Sequence, residues 1–169
     1  MRSFQRGFTL VELLVTIAII AILAAVGSVV YSQAQKSGRV SKRIQDLKAI
    51  AQGVELYKVS TGSYPNQVAW GCIPAVLVPT YMPSLPADPS DNGNPNGTNC
   101  YQYISNSALT EFKVRTHVSH AEMTTADFKT QPNLIDPAQD DVANCTINSS
   151  AATIRAWALF NGSNICSQQ

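Results

Sequence analysis

Four sets of residues in this chain have types and spacings that could do chemistry. Glu12 is a lone carboxylate at the mouth of an apolar run, since Leu13 to Tyr31 is 19 residues without a charge. A carboxylate at the edge of lipid is costly and needs a partner. Cys72, Cys100, Cys145 and Cys166 form an even set. They contain no close pair such as C-x-x-C for zinc, so disulfides are expected, and sequence proximity favours Cys72–Cys100 and Cys145–Cys166 among the three pairings. His117 and His120 form H-x-x-H. They could share a metal on a helix, but on a strand they point to opposite faces, and the local pattern is that of a strand. Asp136, Asp140 and Asp141 form an acidic cluster that is a weak calcium candidate, with a solvated turn as the plainer reading. Asn92, Asn94, Asn96 and Gly97 echo a calcium loop, but carboxylates are missing and the twelfth position is Tyr103 rather than Glu. The chain has no G-x-S-x-G, no P-loop and no convincing triad, so neither an enzyme nor a cofactor is expected.

These residues sit in a chain of 169 residues, enough for one domain with a real core. A net charge of +1 gives no global case for nucleic-acid binding. The basic residues do cluster: Lys36, Arg39, Lys42, Arg43 and Lys48 follow the apolar run, as a surface stripe flanking lipid.

The element that must carry Glu12 is a helix. At about 1.5 Å per residue the run Leu13–Tyr31 spans roughly 28 Å, close to a bilayer core. Three readings compete for it. A secretory signal peptide would have Met1–Arg6 as its basic region and a weak cleavage site at Ala25-Val26-Gly27, but the run is long and Glu12 interrupts its start. An ordinary single-span anchor, with its basic side in the cytoplasm, explains the length. It does not explain the string that precedes the run.

That string is Gly7-Phe8-Thr9-Leu10-Val11-Glu12-Leu13-Leu14. It resembles the prepilin signature of type IV pilins and type II secretion pseudopilins. The resemblance implies cleavage of a short basic leader at Gly7–Phe8, N-methylation of Phe8, and retention of the apolar helix. It also matches the acidic residue of the family to Glu12. Methylation keeps the charge of the new Phe8 amine, so the carboxylate of Glu12 can meet the amine of a neighbouring subunit and fix axial register. The alternative for Glu12 is a favourable interaction with its own helix dipole, worth about 0.3–1 kcal/mol. Many relatives carry a Pro near the position of Val29; none is present here. No Pro kink is expected, and Gly27-Ser28 is the soft spot.

Past Tyr31 the chain turns amphipathic. Val40, Ile44, Leu47, Ile50, Ala51, Val54 and Tyr57 fall at helical spacing, with Lys36, Lys42, Arg43, Gln45 and Asp46 on the remainder. Gly62 caps this helix and Pro65 prevents its resumption, so one helix is expected from about Thr9 to Thr61. Residues 66–99 hold six prolines and read as an irregular loop, with a weak strand-like patch at Ala75–Val78. Tyr101–Ile104, Glu111–Ser119 and Thr153–Phe160 are strand candidates. In the second of these, Phe112, Val114, Thr116 and Val118 alternate with Lys113, Arg115 and His117. The sequons at Asn96, Asn144, Asn148 and Asn161 are expected mostly by chance in so Asn-rich a chain.

The fold expected is therefore α+β: a pilin-like long N-terminal helix packed on a small antiparallel sheet. Its parts are a leader at 1–7, a transmembrane and assembly half-helix at 8–31, an amphipathic half-helix at 32–61, and a head at 62–169. The head divides into a loop at 62–100, a sheet at about 101–160 and a Cys-bounded C-terminal region. Leu56 to Pro65 also resembles the helix end of pilins and major pseudopilins, and Leu85-Pro86-Ala87-Asp88-Pro89 with Tyr101-Gln102-Tyr103 resembles the major pseudopilins. Cys145 and Cys166 instead resemble the C-terminal disulfide loop of many type IV pilins. The resemblance implies a filament subunit in a homo- or hetero-polymer with other pilin-like subunits. It implies as partners a prepilin peptidase, an inner-membrane assembly platform and membrane lipid before assembly. It places the head outside the cytoplasm on a single inner-membrane span, and in a pilus or pseudopilus afterwards. The alternatives are a G-like type II secretion pseudopilin and, more distantly, a membrane-anchored monomeric binding protein.

Overall fold

The computed structural model describes residues 7–118, 123–138 and 155–162. The chain divides into two compact units, Met1–Arg39 and Val40–Gln169. One element runs through both: helix α1, Leu10–Thr61, 52 residues without a break. Its start lies one residue from the expected one and its end coincides with it. Gly27, Gly38 and Gly53 do not interrupt it. Ser28 donates from Oγ to the carbonyl of Ala25 at 2.9 Å, which satisfies the hydroxyl inside the apolar run. The helix ends where the sequence demands. Gly62 takes φ +86°, a conformation that costs a Cβ-free residue little, and its amide donates to Lys58 O at 2.8 Å.

In the first unit the apolar side chains are outward on every side. Leu10 is 80% exposed, Ile20 64% and Val30 65%. This helix is also the one, among the described residues, that is long and apolar enough to cross a membrane.

In the second unit the amphipathic pattern works as the spacing requires. Leu47, Ile50 and Val54 are fully buried, and Val40, Ile44, Ala51 and Tyr57 pack at the margin of the same cluster. They meet Tyr64, Tyr103, Phe112, Val114 and Trp157 in one hydrophobic core. The sheet has four antiparallel strands in the order β1-β2-β3-β4: β1 Gly71–Cys72, β2 Gln102–Ser105, β3 Phe112–Arg115 and β4 Ala158–Asn161. The register pairs Gly71 with Tyr103, Tyr103 with Val114, and Val114 with Leu159. Of the three expected strands, β2 keeps its expected length with a shift of one residue, β3 and β4 fall on the second and third candidates with four residues each, and β1 is an addition from the Pro-rich loop. A disulfide joins Cys72 of β1 to Cys100 across 28 residues, with the Cα atoms 5.6 Å apart.

Several expectations need correction. The patch Ala75–Val78 is not a strand: Ala75–Leu77 is a 3-10 turn, set by Pro74 before it and closed by Val78 N donating to Ala75 O. The turn exists to drive Leu77 into the core, where it is fully buried. A short helix α2, Thr125–Phe128, and a second 3-10 turn, Pro132–Leu134, precede β4. Arg43 does not belong to a solvated stripe. It has no exposed surface, and its guanidinium clasps Asp88 with two bonds, Nε to Oδ2 at 2.7 Å and Nη2 to Oδ1 at 2.8 Å. The reason is spacing: 43, 47, 50 and 54 are one helical face, so Arg43 enters the core with Leu47. Lys113 and Arg115 share the face of β3 opposite Phe112 and Val114, as the alternation predicts, and that face is covered as well. All four residues of β3 are buried. Phe112 and Val114 belong to the main core, while Lys113 and Arg115, on the opposite face, meet Asp136 and the ring of Trp70.

Candidate assembly site at the start of the long helix

Gly7, Phe8 and Thr9 lie outside the helix, in irregular chain immediately before it. Phe8 is 86% exposed and nothing comes within 4 Å of the Cβ position of Gly7. The Gly7–Phe8 bond is thus free of helix and strand.

The helix then begins in a reciprocal cap. Thr9 Oγ1 accepts from the Glu12 amide at 3.2 Å. Glu12 Oε2 accepts in return from the Thr9 amide at 2.9 Å and the Thr9 hydroxyl at 2.7 Å. This is a capping box, T-x-x-E, and it satisfies two of the amide donors that every helix start leaves open. Leu13 N donates to Thr9 O at 3.3 Å, closing the first turn. Both Thr9 donors fall on Oε2, so among the described residues Oε1 of Glu12 is left to a further donor. After a cut at Gly7–Phe8 the new cation would stand one residue before this cap. Thr9 is therefore a capping residue that the sequence pattern announces but that is not among the expected site residues. Its signal was present, in the T-x-x-E spacing just before an apolar run.

The remaining candidates are placed as follows. Cys72 and Cys100 form the disulfide already described, whereas Cys145 and Cys166 lie outside the described residues. His117 is half-buried just past β3, and His120 is outside the described residues. Asp136 is not in a solvated turn. It is fully buried, and its Oδ1 lies 2.6 Å from Lys113 Nζ while also accepting the Ala138 amide. Burial pushes the Asp136 carboxyl up and the Lys113 ammonium down, each held back by its attraction to the other. A carboxylate so engaged offers little to a metal. Asp140 and Asp141 lie outside the described residues, and no group of three potential ligands occurs among the described ones. An apolar groove of about 820 Å³ also opens in the second unit, lined by Leu56, Val59, Phe112, Leu159 and Phe160 among others.

A long helix that starts in a capped T-x-x-E, exposes an apolar surface over its first unit, and packs its last turns on a small antiparallel sheet defines a pilin-like subunit. Comparison with known proteins agrees. Residues 2–28 match the family described as the prokaryotic N-terminal methylation motif. The chain is 33% identical over 116 residues to type II secretion system core protein G of Pseudomonas aeruginosa, covering 62% of this chain and 76% of that protein. It is 30% identical over 116 residues to core protein G of Escherichia coli, covering 60% and 80%. Against type IV major pilin protein PilE1 of Neisseria gonorrhoeae it is 37% identical over 66 residues, covering 39% and 40%. No solved structure matches the chain. The chain belongs to the type IV pilin and type II secretion pseudopilin family.

Proposed function

We propose that this chain is a structural subunit, not an enzyme. It is cleaved between Gly7 and Phe8, methylated on the Phe8 amine, and polymerised through α1 into a pilus-like filament. The observation that carries the proposal is the join of two features at one place. An exposed Gly7–Phe8 bond outside any helix or strand abuts a capped helix whose apolar side chains are exposed among the described residues. Such a surface is stable only in lipid or against other copies. Before assembly lipid covers it. During assembly, other pilin-like subunits replace the lipid, handed over by an inner-membrane platform.

Glu12 acts at that transfer. Its Oε2 holds its own helix start through Thr9, and its Oε1 takes the methylated amine of a neighbour's Phe8. Two charges that would be costly alone in a low-dielectric bundle then neutralise each other, and the axial offset between subunits is fixed. The Cys72–Cys100 disulfide supports a head outside the cytoplasm, where such bonds persist.

Within this reading, a secretion pseudopilus is favoured over a pilus by the extent of the matches. Core protein G relatives align over 116 residues and pilins over 66. The test is the intact mass of the membrane-extracted protein, which should lack residues 1–7 and carry one added methyl. Retention of those residues would overturn the proposal. Deleting the chain in its own host then separates the two filaments. Loss of exported enzymes with surface fibres intact supports a pseudopilus, and the reverse supports a pilus.

A further inference from the structure

Three Asn-Gly pairs occur in the chain, at 92–93, 96–97 and 161–162. Gly after Asn removes the Cβ that would obstruct ring closure between the Asn side chain and the following amide nitrogen. The three pairs nevertheless stand in different surroundings. Asn161 belongs to β4, and its side-chain amide donates to Tyr64 Oη at 2.9 Å. Gly97 donates its amide to Asn94 O at 3.2 Å, and Asn96 donates its own to Asn94 Oδ1 at 3.0 Å. Asn92 and Gly93 are both exposed, with φ +50° and +83°. They are the two central residues of a type I′ turn closed by Asn94 N donating to Asp91 O at 2.9 Å. That closing bond leaves both central amides out. Among the described residues, neither the Gly93 amide nor the Asn92 side chain holds a hydrogen bond.

We infer that Asn92–Gly93 is a self-modifying site of this protein, at which the side-chain amide of Asn92 is lost by cyclisation in the folded state. The Gly93 nitrogen gives its proton to solvent base and attacks Cγ of Asn92. The N–Cγ bond forms, the Cγ–Nδ2 bond breaks, and Nδ2 takes a proton from solvent and leaves as ammonia. Water then opens the five-membered imide at either carbonyl carbon, giving Asp or isoaspartate. Water is the only co-reactant and nothing is oxidised or reduced.

The position gives the change a consequence. Either product adds a carboxylate one residue from Asp91, whose two oxygens accept the amide and side chain of Asn99 at 2.8 and 3.0 Å. Isoaspartate also inserts a methylene into the backbone of the turn, which displaces Asn94 N from Asp91 O. The segment loosened is the one between Asp88 and Cys100, so subunits that persist longest in an assembly carry a mark of their age there.

The test is to age the folded full-length protein in detergent at mildly alkaline pH, with folding monitored by circular dichroism. Peptide mapping by mass spectrometry then follows all three pairs, and enzymatic methylation detects isoaspartate. The expected result is conversion at Asn92 at least severalfold faster than at Asn96 or Asn161, with the ranking lost when the same protein is aged in denaturant. Conversion at Asn96 or Asn161 as fast as at Asn92 in the folded protein would overturn the inference. So would an Asn92 that survives ageing in the folded protein while converting in the unfolded one. Asn92→Gln, which must close a less favourable six-membered ring, should remove the early ammonia release and leave the Cys72–Cys100 disulfide intact.

Discussion

Removing Asp88 should unfold the head at markedly lower temperature, and the size of the effect follows from its surroundings. Arg43 and Asp88 have no exposed side-chain surface and share two short bonds. Asp88 also accepts the amide and hydroxyl of Ser90, at 2.9 and 2.5 Å. In Asp88→Ala the guanidinium of Arg43 stays buried without that carboxylate, a loss of about 3–5 kcal/mol. At about 3–5 °C per kcal/mol for a unit of this size, Tm falls by roughly 10–20 °C. The neighbouring pair Lys42–Asp46 is the internal control. Its Nζ–Oδ2 distance is 3.2 Å, but Lys42 is 52% exposed, so Lys42→Ala should cost under about 0.5 kcal/mol through that pair. A second arm separates an unpaired charge from a lost attraction. Arg43→Met with Asp88→Leu removes both charges at similar volume and should recover most of the loss, because the pair itself contributes little beyond its own desolvation. Thermal unfolding of the full-length chain in detergent, followed by near-ultraviolet circular dichroism, reads all three. If Asp88→Ala shifted Tm no more than Lys42→Ala, or if the double variant lost as much as Asp88→Ala, the reasoning would be wrong.

Three further outcomes are expected. Replacing Cys72 and Cys100 by Ser opens a loop of 28 residues and should lower stability by about 3.6 kcal/mol from loop-closure entropy, read from urea unfolding with the slope fitted separately, since the freed chain exposes more surface. Burial, with a further push from the Glu55 carboxylate, raises the Tyr64 hydroxyl from 10.0 to about 12, and burial likewise raises Tyr101 and Tyr103. A raised pKa means that the folded state holds the proton more tightly. That stability is complete below pH 10 and drains away as pH rises through about 12, and Glu55→Gln should bring the Tyr64 absorbance transition down. Thr9→Ala removes the cap on α1 and should cost about 1 kcal/mol at that end alone. Amide exchange should quicken at Leu10–Leu13 and stay unchanged at Leu47–Val54.

The fold was legible wherever a single periodicity decided it. Leu47, Ile50 and Val54 lie three and four apart and bury together, and Gly62 stops the helix at its place. What escaped was set by partners distant in sequence. Arg43 shares the stripe of Leu47 and Ile50, yet a charge at such a position reads as solvated until an acid is known to lie opposite. Asp88 is 45 residues away, within a Pro-rich loop that gives no period to follow. Lys113 and Arg115 lie on the face that the alternation assigns them, yet what covers that face is distant in sequence too. Alternation along β3 separates two faces, but it does not say that the charged face will be covered, and the cover comes from Trp70 and Asp136. The 3-10 turn at Ala75–Leu77 shows a different limit, since an apolar run of that length suits a strand until the two flanking prolines deny it a ladder.

The assembly site carries the opposite lesson, because all of it is local. Gly7, Phe8, Thr9 and Glu12 lie within six residues, and the chemistry of each follows from its neighbours. The reading of the sequence set a register role for Glu12 against an interaction with its own helix. The structure adds a third contact, a cap with Thr9, which engages one oxygen of two. The cap and the register role do not compete. A carboxylate pinned by Thr9 at Oε2 is already oriented, so a neighbouring amine at Oε1 meets a fixed partner and loses less freedom on binding than it would with a free side chain. On this argument Thr9→Ala and Glu12→Ala differ in kind. Glu12→Ala should abolish assembly while leaving cleavage intact. Thr9→Ala should slow assembly, with Thr9→Ser, which keeps the hydroxyl, restoring the rate. Equal loss in Thr9→Ala and Thr9→Ser, measured as filament yield from cleaved subunit, would show that the cap does not position the carboxylate.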